Sequence, residues 1–228
     1  MKAFKVGQES LRLPIWAKQI KEIVNKIEDA DVLIIDSDED LNPSLYMDYT
    51  LHPYTLKERM DTISDSYETA LIRKAIKLDI PIVAINKGAL MACIEAGGAV
   101  IQYANNHRNI HTITTLVGDI KIGSKHIAMM DLSWLPSSKY SLLGYSKVSN
   151  NYRKGNENPY FNKKETRESF REPEIVYFKE IGCLAIQCDV PVVGSMDTYF
   201  EYLKTCLDNM LLIESKKDLY ERKVRNMH

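Results

Sequence analysis

The sequence has no long hydrophobic run and almost no net charge. No apolar stretch approaches the roughly 18 residues that a membrane-spanning helix needs. The 228 residues include 30 basic and 31 acidic ones, so the formal charge of -1 gives no general attraction to nucleic acid or to an anionic membrane. The amino terminus also lacks an apolar signal region. We therefore expect a cytoplasmic protein with no membrane partner and no nucleic-acid partner.

The chain also has few cysteines, and their spacing does not suit zinc. Cys93, Cys183, Cys188 and Cys206 form neither a CxxC motif nor a zinc-knuckle pattern. Such residues in apolar runs are typical of reduced core positions in a cytosolic protein. No Walker motif and no dinucleotide-binding fingerprint is present either. We expect no cofactor.

Length and composition favour a single domain. With 45% hydrophobic residues, a chain of 228 residues can bury a full core. We assign residues 1–213 to this domain, with a polar insertion at about 149–172 and a charged tail at 214–228. The insertion is either a surface loop or a loop that binds a partner.

The first half of the chain alternates strands and helices. Apolar runs predict buried strands at 3–7, 31–36 and 82–85, and helical spacing predicts an amphipathic helix over 14–27. Asp65 and Glu68 resemble a capping box that begins a second helix. This order predicts an α/β fold with a doubly wound, mainly parallel sheet and helices on both faces.

After Gly98 the pattern changes to short β-rich segments, which predicts an antiparallel extension of the sheet. A last helix begins at Ser195 and has apolar residues along one face. The β-rich segments are 110–116, 119–123, 126–130, 140–146, 174–178 and 183–188.

Residues 79–98 predict a strand, a sharp turn and a helix, with Asn86 at the turn. This arrangement is typical of an elbow that lifts a nucleophile above the end of a sheet in a strained backbone conformation. The small residues Ala84 and Gly88 flank the turn and allow it to close. Asn tolerates a positive φ better than most residues do, so the turn can exist without a nucleophile.

Several segments match, in order and spacing, the motifs of class I glutamine amidotransferases. The sequence more narrowly resembles the gamma-glutamyl-hydrolase-like branch that phages often encode. The resemblance extends from residue 31 to about 210. It is carried by residues 36–46, 68–73, 81–88, the pair Gly97-Gly98, and residues 124–130, 172–178 and 184–187. It implies a flavodoxin-like fold and, for a phage protein, a location in the host cytoplasm.

The resemblance fails at the residues that carry the family's chemistry. That family uses a Cys nucleophile, a His that moves protons and a Glu that orients the His, and the matching positions here are Asn86, Asp189 and Pro191. The turn that would supply the oxyanion hole has Ser37 and Asp38 in place of glycines, which puts a carboxylate where negative charge would develop. The degenerate triad predicts a pseudoenzyme.

Two groups of residues leave room for a rebuilt site. The acidic turn with Asp36, Asp38 and Asp40 offers oxygen ligands of the kind that Mg²⁺ and Ca²⁺ prefer, or it is a solvated turn. The histidines at 107, 111 and 126 offer a base or metal ligands, or they are inherited without a function. Lys87 is expected to pair with a neighbouring carboxylate.

We predict from these residues a protein that acts by binding. Its partner is another protein, a second copy of the chain, or a small molecule in the inherited pocket. The alternatives are an enzyme with a rebuilt, metal-dependent hydrolytic site and a structural subunit of a larger complex. The candidate pocket residues are Asp36, Ser37, Asp38, Asn86, Lys87, His126 and Asp189.

Overall fold

The structure, a computed structural model, describes most of the chain. The described residues are 1–7, 20–37, 40–46, 60–124, 126–149, 152–153, 171–188 and 194–225. Asp38, Asp189, Pro191 and nearly all of the predicted insertion at 149–172 lie outside them.

The described residues contain thirteen strands and three α-helices. The strands are β1 (Lys2–Gly7), β2 (Glu22–Ile23), β3 (Val32–Ser37), β4 (Ile82–Asn86), β5 (Ala99–Ile101), β6 (Tyr103–Ala104), β7 (His111–Thr115), β8 (Gly118–Ile122), β9 (Met129–Asp131), β10 (Tyr140–Ser146), β11 (Tyr152–Arg153), β12 (Glu172–Phe178) and β13 (Cys183–Ile186). The helices are α1 (Thr62–Lys77), α2 (Lys87–Glu95) and α3 (Met196–Arg225).

The main sheet is mixed. Its strand order in the described residues is β2-β1-β3-β4-β13-β12-β10-β7-β8. The strands from β2 to β13 are parallel, and those from β12 to β8 pair antiparallel. Two small sheets, β5–β9 and β6–β11, lie beside it. The predicted parallel half and antiparallel extension are both present.

Helices cover both faces of the main sheet. Along β3, Leu33 and Ile35 belong to the core under α1 and α2, whereas Val32 and Ile34 belong to the core under α3. All of β3 is buried because successive side chains point to opposite faces and both faces are covered. This two-sided burial explains why the strand reads as a continuous apolar run.

The prediction of a capping box at Asp65 and Glu68 is wrong. Helix α1 begins one turn earlier, where Asp61 is the N-cap and its Oδ1 accepts hydrogen bonds from the backbone N–H groups of Ile63 and Ser64. Asp65 and Glu68 are buried within the helix. Their acidic side chains match the capping pattern only because they face a buried cation.

The prediction of a helix over residues 14–27 is wrong where the structure describes it. Glu22–Ile23 forms the short parallel strand β2, which pairs with Lys2 and Ala3 of β1, and a 3-10 turn follows at Ile27–Asp29. The free edge of β1 supplies hydrogen-bond partners that outweigh the local helical pattern. Residues 14–19 lie outside the described part of the chain.

The last helix extends beyond the predicted end of the domain. Helix α3 continues through Arg225, past the expected boundary at residue 213. Tyr199, Leu203 and Leu207 on its apolar face are buried against the sheet, and Glu214 accepts a hydrogen bond from the Tyr177 hydroxyl. Within the described residues, no helix is both long enough and apolar enough to span a membrane.

Candidate functional site

The predicted elbow is present at Asn86. Asn86 is the last residue of β4 and precedes α2 directly, with φ 53° and ψ -115°. Few residues other than glycine adopt such a backbone, which costs on the order of 1–3 kcal/mol. A Cβ on Gly88 would lie 2.9 Å from the carbonyl oxygen of Ile35, so the small residue after the turn lets α2 begin against β3. The geometry of a nucleophile elbow is therefore kept around an amide side chain.

Lys87 lies behind the elbow and is completely buried. Its Nζ is 2.9 Å from Oδ1 of Asp65 and 3.3 Å from Oε2 of Glu68. A cation at the first position of a helix is disfavoured by the helix dipole, and the two carboxylates offset this cost. The expected pairing of Lys87 is confirmed. Its side chain is fully enclosed, and its place among the pocket residues stays a prediction.

Hydrogen bonds join this ion pair to the surrounding elements. The Ser37 hydroxyl donates to Oε1 of Glu68 at 2.8 Å, and the backbone N–H of Asn42 donates to Oδ2 of Asp65 at 2.9 Å. We call Ser37, Asp65, Glu68 and Lys87 the elbow cluster. It fixes the end of β3 and one face of α1 against the start of α2.

The acidic turn begins beside the elbow. Ser37 pairs with Asn86 in the register of β3 and β4, and Asp36 is only 1% exposed. Sequence reasoning therefore brought Asp36, Ser37 and Asn86 together correctly. Asp40 belongs to the described residues, but Asp38 does not, so the predicted three-carboxylate metal site stays a prediction.

A second buried polar group lies at the same edge of the sheet. It consists of His107, His111, His126, Glu172 and Glu174, which we call the histidine cluster. Both glutamates begin β12, one histidine begins β7, and the other two lie in connections beside these strands. Four of the five residues are buried. The carboxylates that the histidines contact in the described residues are those of β12.

Strand order places the histidine cluster close to the elbow. Asn86 ends β4, and Gln187 follows the neighbouring parallel strand β13. The N–H of Gln187 donates to the carbonyl oxygen of Glu174 at 2.8 Å. Because β12 is two strands from β4, the two backbones are separated by about 10 Å.

Glu174 accepts contacts from three imidazoles. Its Oε1 lies 3.0 Å from Nδ1 of His107 and 3.0 Å from Nε2 of His111, and its Oε2 lies 3.4 Å from Nε2 of His126. Burial alone would raise the pKa of Glu174, but the charge of His126 and the hydrogen bonds of the imidazoles hold it well below its usual range. Glu174 is therefore a buried carboxylate that stays ionised.

Glu172 is held by backbone and side-chain donors. The N–H groups of Val148 and Ser149 donate to its carboxylate at 2.8 Å each, and the Ser146 hydroxyl donates at 2.7 Å. Its Oε2 is 3.1 Å from Nε2 of His107. Burial lowers the pKa of His107, but hydrogen bonds and charges from both glutamates outweigh it and raise that pKa to about 9.

Gln187 joins the cluster to β13. Its Oε1 accepts from the N–H of Met130 at 3.1 Å, and its amide nitrogen donates to the carbonyl oxygen of Ala128. Nδ1 of His126 lies 2.9 Å from the same carbonyl oxygen and 3.3 Å from the Gln187 amide nitrogen. The two side chains thus share one acceptor, which fixes the orientation of the imidazole.

Sequence reasoning did not single out Glu172 and Glu174. A usable signal was present, since the two residues are two apart in a strand whose seven residues are all buried, and so share one face. A buried strand that begins with two like charges on one face needs partners for them. Those partners are histidines distant in the sequence, at separations of 65 residues for His107–Glu172 and 63 for His111–Glu174.

Comparison with known proteins identifies the family. The family model of peptidase C26 matches residues 4–139, which is more than half of the chain. The chain belongs to the peptidase C26 family. This match includes the elbow, the acidic turn and all three histidines of the cluster.

Solved structures similar to this peptidase C26 protein support the same fold. A putative GMP synthase subunit from Thermoplasma acidophilum has a TM-score of 0.58 at 14% identity, over 97% of this chain and 98% of its own. A glutamine amidotransferase from Thermotoga maritima has a TM-score of 0.52 at 13% identity, over 99% of this chain and 93% of its own. At these identities the likeness concerns the fold. No curated protein matches the chain.

A cavity of 410 Å³ lies at the other edge of the sheet. It is lined by residues at the amino-terminal ends of β4 and β13, such as Pro81 and Gly182, and by Glu214 and Lys217 of α3. Asn86 and the histidine cluster are at the carboxyl end of these parallel strands. The cavity is therefore separate from the candidate site. The candidate site lies at the carboxyl ends of the parallel strands, where sites in such sheets usually lie.

Proposed function

We propose that this peptidase C26 protein is catalytically inactive and acts by binding. The observation that carries the proposal is Asn86, an amide side chain at the apex of a strained elbow with φ 53°. A carboxamide is not a nucleophile, and loss of a catalytic nucleophile typically lowers the rate by orders of magnitude. The sequence at Asp189 and Pro191 agrees with this proposal, because neither residue replaces the His or the Glu of the family.

The polar side chains beside the apex support the same conclusion. The Ser37 hydroxyl donates to Glu68, and the Lys87 ammonium is enclosed by two carboxylates. Cys188 follows β13, but its thiol is buried and lies 3.2 Å from the Tyr199 hydroxyl. None of these three groups is placed to substitute for a nucleophile at the apex.

The proposal includes a partner. A scaffold that keeps the elbow without its nucleophile is suited to hold a small metabolite above Asn86 or to present this edge of the sheet to another protein. A phage origin and a location in the host cytoplasm are part of the proposal and depend on the sequence resemblance. A partner protein would then belong to the phage or its host.

Hydrolysis assays test the absence of catalysis. The purified chain is incubated with glutamine and with gamma-glutamyl peptides, and released ammonia and glutamate are measured. We expect both to stay at the level of buffer. Asn86→Ala is the diagnostic variant, and Asn209→Ala, at an exposed position of α3, is its matched control. Hydrolysis by the wild type that Asn86→Ala removes and Asn209→Ala keeps would overturn the proposal.

Affinity capture from the native host tests the binding role. We expect a defined protein to co-purify, or a metabolite to raise the melting temperature of the pure chain. A lone monomer with neither partner nor stabilising metabolite would contradict the binding proposal. Stable incorporation in a large assembly without any exchangeable ligand would favour a structural subunit instead.

The alternative is an enzyme whose site was rebuilt around a metal. The position of the histidine cluster, two strands from Asn86, favours this alternative. Turnover of a gamma-glutamyl substrate that requires an added divalent ion, and that persists in Asn86→Ala, would replace the binding proposal with it.

A further inference from the structure

Glu174 is a fully buried carboxylate surrounded by imidazoles. Within the described residues its ion-pair contacts are with His107, His111 and His126, and no lysine or arginine takes part. A buried carboxylate needs a compensating positive charge, because removal of an ion from water costs several kcal/mol. In this cluster the charge must come from a proton on an imidazole or from a bound cation.

Three atoms of the cluster form no hydrogen bond of good geometry, although the two imidazole nitrogens among them lie 3.0 and 3.4 Å from oxygens of Glu174. They are Nδ1 of His107, Nε2 of His126 and Oε2 of Glu174. One ligand atom from each of these residues lies within 4.8 Å of the other two. Buried polar atoms without a well-formed hydrogen bond are rare, and a bound ion is one of their ordinary explanations.

The opposite nitrogen of each ring is already anchored. Nε2 of His107 is 3.1 Å from Glu172, and Nδ1 of His126 is 2.9 Å from the carbonyl oxygen of Ala128. An imidazole that donates its N–H to a carboxylate or to a backbone carbonyl presents its other nitrogen as a lone pair. This is the arrangement found around histidines that bind metals.

We propose that His107, His126 and Glu174 form a binding site for a divalent transition-metal ion of the zinc class. Two imidazole nitrogens and one carboxylate oxygen are the protein ligands of many zinc sites that leave a fourth position for water. Imidazole ligands favour Zn²⁺ and similar ions over Mg²⁺ and Ca²⁺, which prefer oxygen. Glu172 and His111 are positioning residues, which hold His107 and Glu174 in place.

Charge and access are compatible with such an ion. A divalent ion that displaces the proton from His107 leaves two neutral imidazoles as ligands and supplies the positive charge that the buried Glu174 carboxylate needs. The side chain of His126 is 10% exposed, whereas those of His107 and Glu174 are fully buried, so His126 marks the side from which an ion enters.

Binding requires a small contraction of the site. Zinc–nitrogen distances of about 2.1 Å in a tetrahedral site place neighbouring ligand atoms about 3.4 Å apart. The ligand atoms here spread up to 4.8 Å. His126 lies in the connection between β8 and β9, outside regular secondary structure, and is the ligand that can move toward the other two.

The test uses the full chain without a histidine tag, freed of metal with a chelator and dialysed. Zinc is titrated by calorimetry at neutral pH, and the melting temperature is measured with and without zinc. We expect one equivalent to bind and the melting temperature to rise, because a ligand of the folded state stabilises it. Cobalt in place of zinc should give the visible absorption of a four-coordinate nitrogen and oxygen site.

Two variants assign the ligands. Glu174→Gln and His126→Gln should each lower zinc affinity by at least about 100-fold, a loss larger than that of most positioning residues. His126 is partly exposed and lies in a loop, so His126→Gln should fold. This variant keeps the test decisive if Glu174→Gln fails to fold. The matched control is Glu95→Gln, since Glu95 pairs with Arg73 away from the cluster, and this variant should bind zinc as the wild type does.

Two results would overturn the proposal. One is the absence of stoichiometric binding to the metal-free wild type. The other is binding that both Glu174→Gln and His126→Gln retain, which would place the ion elsewhere on the surface. Because these readouts do not involve hydrolysis, they are independent of whether the elbow is catalytically inactive.

Discussion

The elbow cluster and the histidine cluster solve the same electrostatic problem with different side chains. Each encloses two carboxylates at the same edge of one sheet, Asp65 and Glu68 in the first, and Glu172 and Glu174 in the second. The first includes a lysine that supplies a permanent charge. The second includes histidines, whose nitrogens can carry a proton or bind a metal.

This difference makes the elbow cluster a structural site and the histidine cluster a candidate site for a bound ion. Lys87 fills the elbow cluster with its own ammonium group, so no further cation is needed there. In the histidine cluster, ligand atoms of His107, His126 and Glu174 lie within 4.8 Å of one another, and within the described residues Glu174 pairs with imidazoles only. The sequence predicted a pocket without catalysis at the elbow. There the elbow cluster contains its own cation, whereas in our proposal the neighbouring histidine cluster takes a cation from solution.

The largest expected effect comes from removal of the permanent charge in the elbow cluster. Lys87→Met leaves Asp65 and Glu68 buried without their cation and should lower the free energy of unfolding by about 3–5 kcal/mol. Chemical denaturation measures this value. The control is Lys74→Met, since Lys74 pairs with Glu28 at the surface and such pairs contribute about 1 kcal/mol or less. Equal losses in the two variants would contradict the structural role of the buried ion pair.

A smaller effect is expected in the histidine cluster. Ser146→Ala removes the hydroxyl that donates to Glu172 at 2.7 Å and lies 3.3 Å from Glu174. This change should destabilise the metal-free protein by about 2 kcal/mol. Ser66→Ala is the control, because Ser66 donates to the carbonyl oxygen of Thr62 on an exposed turn of α1. Its replacement should change stability by about 0.5 kcal/mol or less. The comparison of the clusters would fail if Ser146→Ala cost more than Lys87→Met.

The smallest expected effect isolates the strain at the apex. Asn86→Gly and Asn86→Ala both remove the amide, but only glycine adopts φ 53° without a steric penalty. The glycine variant should therefore be more stable than the alanine variant by about 1–2 kcal/mol. Thermal unfolding of the matched pair measures the difference. An alanine variant as stable as the glycine variant would show that the elbow relaxes when its side chain is removed.

The sequence predicted the features whose signals are local. The elbow at Asn86 follows from an apolar run, a small residue and a helix within a short segment, and the structure has the strained positive φ expected there. The β-rich second half was visible from strand-length runs. The alternation of strands and helices was enough to predict helices on both faces of the sheet.

Features that depend on distant residues were missed. Asp65 and Glu68 look like a helix cap because the pattern does not contain Lys87, their partner 22 and 19 residues away. Strand β2 forms because it pairs with the edge of β1. The apolar spacing of its own segment cannot predict this pairing. The histidine cluster joins residues 63 and 65 positions apart, so its carboxylates were identified only in three dimensions.

The position of β8 at the end of the described sheet bears on solubility and self-assembly. An exposed edge strand offers unpaired backbone groups to another chain and is a common route to aggregation. Here β8 is five residues long and carries the exposed charges Asp119 and Lys121, which hinder the addition of a further strand. If two copies of the chain associate, we expect them to use helix or loop surfaces rather than to continue the sheet through this edge.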